Sequence, residues 1–157
     1  MQIAINSDQA GFDLKETLKS RLLEANFDVK DFSEVPNYYD TTLKAVQEFV
    51  VGGYDRAILI HQNVYAAAIL ANRFPGVRAA VCNDVFTARK MITFGNANVA
   101  VLDSELEPEK AWDLVRIWTA GQFSREYLAE QNQQLDILEE IDQSLLRSDW
   151  KSTLQVY

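Results

Sequence analysis

The chain has 157 residues, of which 48% are apolar and 24% charged, a composition that suits one globular domain with its own core. The net charge of -8 disfavours nucleic-acid binding, because no run of lysines or arginines is present to contact a phosphate backbone. The sequence also contains neither a signal-peptide pattern nor an apolar run near the roughly 20 residues that cross a bilayer, which disfavours a membrane partner.

The first half of the chain begins with an apolar run at 2–6 that predicts a strand. The helix that follows is marked by leucines at every fourth position: Leu14, Leu18 and Leu22. Asn26 is expected to close that helix in a left-handed conformation. A second strand is predicted at 27–32.

A second helix is predicted over 41–50, with Asp40 as its N-terminal cap and Gly52 and Gly53 as its end. Helical spacing predicts that three of its residues point inward: Leu43, Val46 and Val50. The following run, 57–60, is continuously apolar. This is typical of a strand that is covered on both faces of a parallel sheet.

The second half continues the alternation of helices and strands. It predicts a helix at 63–74, a strand at 77–82, a helix at 84–94 and a strand at 98–102. A helix over 108–120 then begins at Pro108 and ends before Gly121. A last helix, about 125–146 and capped by Ser124, carries an apolar stripe. The stripe consists of Leu128, Leu135, Leu138, Ile141 and Leu145.

Five strands that alternate with helices predict an α/β protein with a doubly wound, five-stranded parallel sheet. Helices on both faces make this a three-layer α/β/α sandwich, and we interpret 1–157 as a single domain. Ligands in such folds bind beyond the carboxyl ends of the strands. The candidate loops are therefore 6–11, 61–63 and 83–84.

Two separated stretches, 3–22 and 72–91, carry a family resemblance. Their matching residues are Asp8, Gly11, Phe12, Leu14 and Lys15, followed by Asn72, Gly76, Arg78, Ala79, Ala80, Cys82 and Asp84. They resemble the sugar-phosphate isomerases of the type B ribose-5-phosphate and galactose-6-phosphate isomerase family. The segment 38–46 is similar to the A subunit of galactose-6-phosphate isomerase. The likeness extends over roughly 1–125.

The resemblance implies a Rossmann-like domain and aldose–ketose isomerisation of a phosphorylated sugar, without metal or other cofactor. It also implies a dimer with active sites at the subunit interface. In active family members a loop reading I-C-G-T-G-x-G supplies the thiolate base, and its glycine amides hold the oxyanion. Here His61 stands at the cysteine position and Asn63 at the threonine position. Gln62, Val64 and Ala66 replace the glycines, which permit a closer backbone approach.

His61, the only histidine, allows two interpretations. Its ordinary pKa near 6.5 suits a catalytic base at neutral pH, with the side-chain amides of Gln62 and Asn63 as oxyanion donors. Alternatively, it is a polar residue at a strand end that is satisfied by backbone or solvent.

Other positions implied by the resemblance are also substituted. Phe94 occupies the position of the ring-opening histidine, and Asn98 matches a retained asparagine that either contacts ligand or serves as a turn residue. Two family arginines, one helical turn apart, grip the phosphate. Tyr127 and Gln131 stand in their places, and Arg125 lies two residues early. The loss of two charge-assisted contacts removes roughly 1.5–3 kcal/mol each. Arg73 or Arg89 are the remaining cations that could approach the pocket.

Four further residues complete the candidate set. Asp8 either orients a sugar hydroxyl or caps the following helix. Gln9 stands where ribose-type members have a histidine, and Tyr39 matches a tyrosine that lines the family site or packs as a loop aromatic. Cys82, the single cysteine, is expected to be an inert buried thiol, consistent with a reducing cytoplasm. One histidine and one cysteine predict no metal site.

Three functions stay open from the sequence. The first is a divergent family member in which isomerase activity is lost or strongly reduced. The second is an active isomerase that uses His61 as base on a different or unphosphorylated sugar. The third is a ligand-sensing or partner subunit, paired with a paralogous isomerase subunit. A small sugar or sugar phosphate is the expected ligand. We expect a homodimer or higher oligomer, with the helix at 125–146 in its interface.

Overall fold

The structure, a computed structural model, describes residues 1–33, 38–124 and 129–147. Its strands are β1 (Gln2–Ser7), β2 (Asp28–Asp31), β3 (Arg56–His61), β4 (Ala79–Val81) and β5 (Val99–Asp103). Its helices are α1 (Phe12–Glu24), α2 (Tyr38–Gly52), α3 (Val64–Ala71), α4 (Val85–Thr93), α5 (Pro108–Ala120) and α6 (Ala129–Arg147). The chain divides into two compact units, Met1–Phe123 and Ser124–Tyr157. Within the described ranges, no helix has the length and apolar character needed to cross a membrane.

The five strands form one parallel sheet in the order β2-β1-β3-β5-β4. Helices α1, α4 and α5 pack together on one side of it, and α2 and α3 pack together on the other. This arrangement confirms the predicted Rossmann-like three-layer sandwich. From β1 the chain winds towards β2, whereas from β3 it winds the opposite way towards β4. The carboxyl ends of β1 and β3 therefore form the switch point at which such folds bind ligands.

The core between the sheet and α1, α4 and α5 contains the three predicted leucines of α1 and the fully buried Trp118. The indole Nε1 of Trp118 donates a hydrogen bond to the carbonyl of Ala97, 3.0 Å away, so its polar atom is satisfied inside the core. Strand β1 contributes Ile3 and Ile5 to this core. Alternate residues of the neighbouring strands face the opposite layer, as the period of two in a strand requires.

Most helix ends agree with the sequence interpretation. Asn26 has a φ of 63°, the predicted left-handed conformation after α1. Helix α5 begins at Pro108 and ends at Ala120, as predicted. The prediction for Asp40 was wrong: α2 begins at Tyr38, so Asp40 lies in the first turn instead of at the cap. The predicted cap at Ser124 concerns a helix start at 125–128, which lies outside the described residues.

The inward face of α2 is rotated relative to the prediction. Val46 is fully buried, but Leu43 and Val50 are only partly buried. The buried residues are instead Thr42, Ala45, Val46 and Phe49. This set has the i, i+3, i+4, i+7 spacing of one helix face. The rotation turns the Thr42 hydroxyl towards the end of β3.

Lys15, one of the residues that carry the resemblance, is a buried cation, and the sequence interpretation did not predict its burial. Its side chain is 2% exposed, and its Nζ lies 2.6 Å from Asp31 Oδ2 and 2.6 Å from Glu16 Oε1. Burial opposes ionisation of Asp31, but hydrogen bonds from Lys15, Lys19 and the Ser33 N–H outweigh it and lower the pKa of Asp31 to about 2. The cluster joins α1 to the end of β2.

Candidate active site

The loops after β1 and β3 lie against each other at the switch point. The Asp8 N–H donates to the Ile60 carbonyl at 3.1 Å. A Cβ on Gly11 would lie 2.6 Å from Ile60 Cγ2 and 2.7 Å from the Ile60 carbonyl oxygen. Glycine at position 11 therefore lets the first loop approach the end of β3 more closely than any other residue would permit.

Asp8 joins the two loops through its carboxylate. Its Oδ1 accepts a hydrogen bond from the Gly11 N–H at 2.9 Å, and its Oδ2 accepts one from the Gln62 N–H at 2.8 Å. The side chain is almost completely buried. The N-cap residue of α1 is Gly11, without a side-chain cap, so Asp8 is not the cap of that helix. Both carboxylate oxygens instead fix the backbone course of the site.

His61 is the last residue of β3, and its side chain is 0% exposed. Its Nε2 lies 3.2 Å from the Thr42 hydroxyl on α2, within hydrogen-bond distance. Its Nδ1 lies 3.6 Å from Asp8 Oδ2. The imidazole is therefore packed inward, between the sheet and α2.

Burial lowers the pKa of His61 from 6.5 to about 4, and the nearby Asp8 carboxylate, which favours the charged ring, offsets only part of this effect. The ring is therefore neutral at neutral pH. A neutral imidazole is the form that accepts a proton, but a lowered pKa makes it a weak base. In this orientation the side chain also presents no exposed surface to a substrate.

The predicted polar side chains Gln9, Gln62 and Asn63 are all exposed near this point. Asn63 is the N-cap of α3, and its Oδ1 accepts a hydrogen bond from the Ala66 N–H at 3.0 Å. The structure thus brings Asp8, Gln9, His61, Gln62 and Asn63 together at the carboxyl edge of the sheet. Gln9 and Gln62 present exposed side-chain amides, and neither amide forms a hydrogen bond to another of the described residues.

The predicted third loop, 83–84, does not adjoin His61. Strand β5 lies between β3 and β4, so this loop is two strands away. The end of β5 takes its place: Asp103 pairs with His61 in register, and the Ser104 N–H donates to the His61 carbonyl at 3.2 Å. The sequence interpretation missed Asp103 and Ser104, because strand order in a parallel sheet is not encoded by any local pattern.

Asn98 lies at the opposite end of the strands, where their amino ends are. It directly precedes β5, whereas His61 is in register with the last residue of β5, so the two are about 16 Å apart along the strand direction. Asn98 Oδ1 accepts from the Arg78 N–H at 2.8 Å, and its Nδ2 donates to the Gly76 carbonyl at 2.7 Å. Within one chain this side chain braces the turn before β4 and does not meet His61.

Phe94, directly after α4, also lies at the amino ends of the strands. Lys90 Nζ is 4.1 Å from the centroid of its ring. Arg73 follows α3 at the same edge, and Arg89 is exposed on α4. Neither Arg73 nor Arg89 therefore lies beside His61 in the same chain.

Several predicted residues cannot be located in this way. Tyr39 lies in the first turn of α2, but its side chain is outside the description, as is that of Gln131. Arg125 and Tyr127 lie outside the described residues.

Cys82, one residue beyond β4, is 1% exposed, and burial, together with Asp84, raises the pKa of its thiol to about 12. It is therefore a buried, protonated thiol, as expected. Among the described residues, no cluster of three metal-binding side chains occurs.

Comparison with known proteins agrees with this fold. Residues 3–136 match the family model described as ribose/galactose isomerase. The chain is 33% identical over 148 residues to ribose-5-P isomerase B of Listeria innocua, covering 91% of this chain and 98% of that protein. It is 34% identical over 107 residues to a 4-deoxy-4-sulfo-D-erythrose isomerase of a Clostridium species, covering 65% of this chain and 67% of that protein.

The fold is likewise similar to a solved structure, the ribose 5-phosphate isomerase of Thermotoga maritima, with a TM-score of 0.78. That similarity covers 88% of this chain and 97% of the other, at 32% sequence identity. The fold and these similarities define a Rossmann-like protein of the sugar-phosphate isomerase class. The chain belongs to the ribose/galactose isomerase family.

Proposed function

We propose that this chain is a divergent family member in which isomerisation of ribose 5-phosphate and galactose 6-phosphate is lost or strongly reduced. One observation carries the proposal: the candidate base His61 is fully buried against Thr42, with its pKa lowered to about 4. A base that is both weak and shielded from substrate contributes little to proton transfer. The substitutions inferred from the resemblance, including Phe94 at the ring-opening position, point the same way.

The test is deuterium exchange at the carbon next to the sugar carbonyl. An enediol mechanism incorporates solvent deuterium at this carbon, even when net conversion is slow. The purified chain is incubated in heavy water with ribose 5-phosphate or galactose 6-phosphate, and exchange is followed by NMR. We expect exchange equal to that with heat-denatured protein. Exchange above that background contradicts the proposal.

A second candidate function is an active isomerase that uses His61 on a different or unphosphorylated sugar. The observation that favours it is the Asp8–His61 pair, in which a carboxylate lies 3.6 Å from Nδ1 of the base. The exposed amides of Gln9 and Gln62 would serve a neutral or sulfonated sugar as hydrogen-bond donors. One relative is named for a sulfonated four-carbon sugar.

The discriminating experiment repeats the exchange assay with 4-deoxy-4-sulfo-D-erythrose and with unphosphorylated ribose and galactose. Exchange with one of these that disappears in His61→Asn supports the second function. Exchange that persists in His61→Asn excludes His61 as its base. No exchange with any of these sugars leaves the first proposal as the better account.

We further propose that the chain acts as an assembly with at least one other subunit, in the cytoplasm. The supporting observation is that Asn98 and Phe94 lie at the amino ends of the strands, whereas His61 of the same chain lies at the carboxyl ends. Two chains are needed if these residues are to contribute to one site. Mass measurement by light scattering tests this, with and without a paralogous isomerase subunit. A monomer under both conditions contradicts it.

A further inference from the structure

Two carboxylates lie on either side of His61 at the carboxyl ends of three neighbouring strands. Asp103, the last residue of β5, is in register with His61, and Asp8 directly follows Ser7, whose register partner is Ile60. Residues in register on adjacent parallel strands point to the same face, so the three side chains form a row across β1, β3 and β5. The backbones of Asp8 and Asp103, two strands apart, are separated by about 10 Å. We call Asp8, His61 and Asp103 the strand-end row.

The strand-end row carries negative charge at neutral pH. Asp8 Oδ2 lies 3.6 Å from His61 Nδ1, but burial lowers the pKa of His61 to about 4, so the ring is neutral and offsets neither carboxylate. Among the residues that the structure describes, neither Asp8 nor Asp103 forms an ion pair with a lysine or arginine. The segment that follows β5 adds exposed carboxylates at Glu105 and Glu107.

The lysines of the surrounding helices do not compensate for this charge. Helix α3 contains neither lysine nor arginine. Lys15 and Lys110 belong to α1 and α5, which pack on the opposite side of the sheet, and Lys15 is held there by Asp31 at 2.6 Å. Lys44 is exposed on α2, two residues from the buried Thr42 and therefore off the helix face that meets the sheet.

A buried acceptor without a donor lies next to the strand-end row. Asn6 precedes Asp8 by two residues and therefore faces the same side of β1, with 0% of its side chain exposed. Its Nδ2 donates to the Phe32 carbonyl at 3.2 Å, whereas none of the described residues donates to its Oδ1. A buried acceptor gains free energy when a donor reaches it. This amide oxygen is independent of the carboxylates, and it too favours a guest that donates hydrogen bonds.

The helix starts at this edge do not supply the missing donors. Free N–H groups at the start of a helix normally attract an anion. Here the Gly11 N–H at the start of α1 and the Gln62 N–H both donate to Asp8, at 2.9 and 2.8 Å. The Ala66 N–H of α3 donates to Asn63 Oδ1 at 3.0 Å. These three donors are therefore used within the protein.

We propose that the strand-end row selects a polyol that has no anionic group, and that it binds such a polyol more tightly when the polyol carries an ammonium group. Hydroxyl and ammonium groups donate hydrogen bonds, and an ammonium is also attracted by both carboxylates. A phosphate or sulfonate instead adds acceptors and negative charge. Asp103 determines the preference, because Asp8 is already bound to two loop N–H groups. The inference rests on the proposed function in placing the sugar at the switch point, and it favours unphosphorylated over sulfonated sugars there.

The test compares three sugars that share one skeleton and differ in charge: galactosamine, galactose and galactose 6-phosphate. The isotopically labelled full-length chain is titrated with each, and NMR shifts of backbone amides such as those of Gln62 and Ser104 give the dissociation constants. We expect galactosamine to bind most tightly and galactose 6-phosphate most weakly, with at least about a tenfold difference between them. Equal affinities, tightest binding of galactose 6-phosphate, or no shift changes with any of the three would overturn the proposal.

Asp103→Asn isolates the charge that sets the preference. The asparagine keeps an oxygen that accepts from the Glu105 N–H, at 2.9 Å in the wild type, so the turn after β5 is retained. We expect galactosamine to bind about three- to tenfold more weakly and galactose 6-phosphate more tightly by a similar factor. The matched control is Asp28→Asn, which makes the same change in net charge at the amino end of β2 and is expected to leave all three affinities unchanged. Equal effects of the two variants contradict the role of Asp103.

A salt titration of the wild-type chain tests the same preference without a substitution. Added sodium chloride screens charge, so we expect the difference between galactosamine and galactose 6-phosphate to narrow while galactose binding stays unchanged. A difference that does not respond to salt contradicts an electrostatic preference.

Failure of this inference and failure of the proposed function give different results, because binding is measured without turnover. Tight binding of galactose 6-phosphate without deuterium exchange overturns the inference and leaves the proposed loss of isomerase activity intact. Deuterium exchange on galactose 6-phosphate, with galactosamine still the tightest ligand, overturns the proposed loss of activity and supports the inference.

Discussion

His61 and Thr42 are joined across the boundary between sheet and helix, with Nε2 of the histidine 3.2 Å from the threonine hydroxyl. Both side chains are buried, at 0% and 1% exposure. This contact holds the only imidazole of the chain away from solvent. The neighbouring Asp8 carboxylate is in turn held by two backbone N–H groups. The site is therefore an ordered polar cluster, and its stability is open to measurement.

The first prediction concerns pH. Unfolded His61 regains its ordinary pKa of 6.5, whereas folded His61 has a pKa of about 4, so between these values the unfolded chain binds more protons. The free energy of unfolding therefore falls as pH decreases through this window, by at most roughly 3 kcal/mol from this residue. In His61→Asn this contribution is absent. Urea unfolding of both proteins at several pH values measures the difference, and parallel pH profiles contradict the prediction.

The second prediction concerns the hydroxyl of Thr42. Thr42→Val keeps the shape of the side chain but removes the hydroxyl that lies 3.2 Å from His61 Nε2. We expect the free energy of unfolding to fall by about 1–3 kcal/mol, because a hydrogen bond between two buried side chains is lost. The control is Thr17→Val, since the Thr17 hydroxyl donates to the Asp13 carbonyl on its own helix. Equal losses in the two variants contradict a special role for Thr42. The NMR shifts of the imidazole nitrogens are expected to change only in Thr42→Val.

The third prediction concerns Asp8. In Asp8→Asn one oxygen still accepts a hydrogen bond, but the amide nitrogen faces a backbone N–H, so one of the two loop contacts is lost. We expect a loss of roughly 1.5–3 kcal/mol in the free energy of unfolding and faster hydrogen exchange at the Gln62 or Gly11 amide. The control is Asp13→Asn in the exposed first turn of α1, with an expected cost of about 0.3–1 kcal/mol. Unchanged exchange at both amides contradicts the prediction.

The fourth prediction concerns Gly11. Its φ of -86° is available to alanine, so any cost of Gly11→Ala comes from the close approach to Ile60. We expect a loss of about 1–3 kcal/mol or more in the free energy of unfolding. Ile60→Leu in the same chain removes the Cγ2 branch and leaves the carbonyl contact, so rescue is expected to be partial. If the second substitution restores the full free energy of unfolding, the carbonyl contact does not contribute to the cost of Gly11→Ala.

The sequence predicted the elements well because their signals are local. The leucine spacing of α1 and the Pro108–Gly121 boundaries of α5 depend on residues within one or two turns. The buried face of α2 was harder to predict. The predicted face, Leu43, Val46 and Val50, is rotated slightly from the observed one. Thr42 was missed for this reason, although its spacing with Ala45, Val46 and Phe49 contains the signal.

The composition of the site was less predictable than the fold. Asp8 and His61 were found because both follow buried strands, but the burial of His61 depends on the rotation of α2. Asp103 and Ser104 were missed because β5 is inserted between β3 and β4. Asn98 was grouped with the site by resemblance. Because it precedes β5, however, it lies at the amino ends of the strands, away from His61 in the same chain.

The frame of the site depends on backbone atoms and on the Asp8 carboxylate. Asp8 binds the N–H groups of Gly11 and Gln62, and the carbonyls of Ile60 and His61 accept from Asp8 and Ser104. None of these bonds uses the side chain of Gln9, Gln62 or Asn63. The exposed side chains of Gln9 and Gln62 can therefore be exchanged at little cost to stability, whereas Asn63 also caps α3. Such a scaffold is evolvable: new substrate preferences, or the loss of an old reaction, leave its architecture intact.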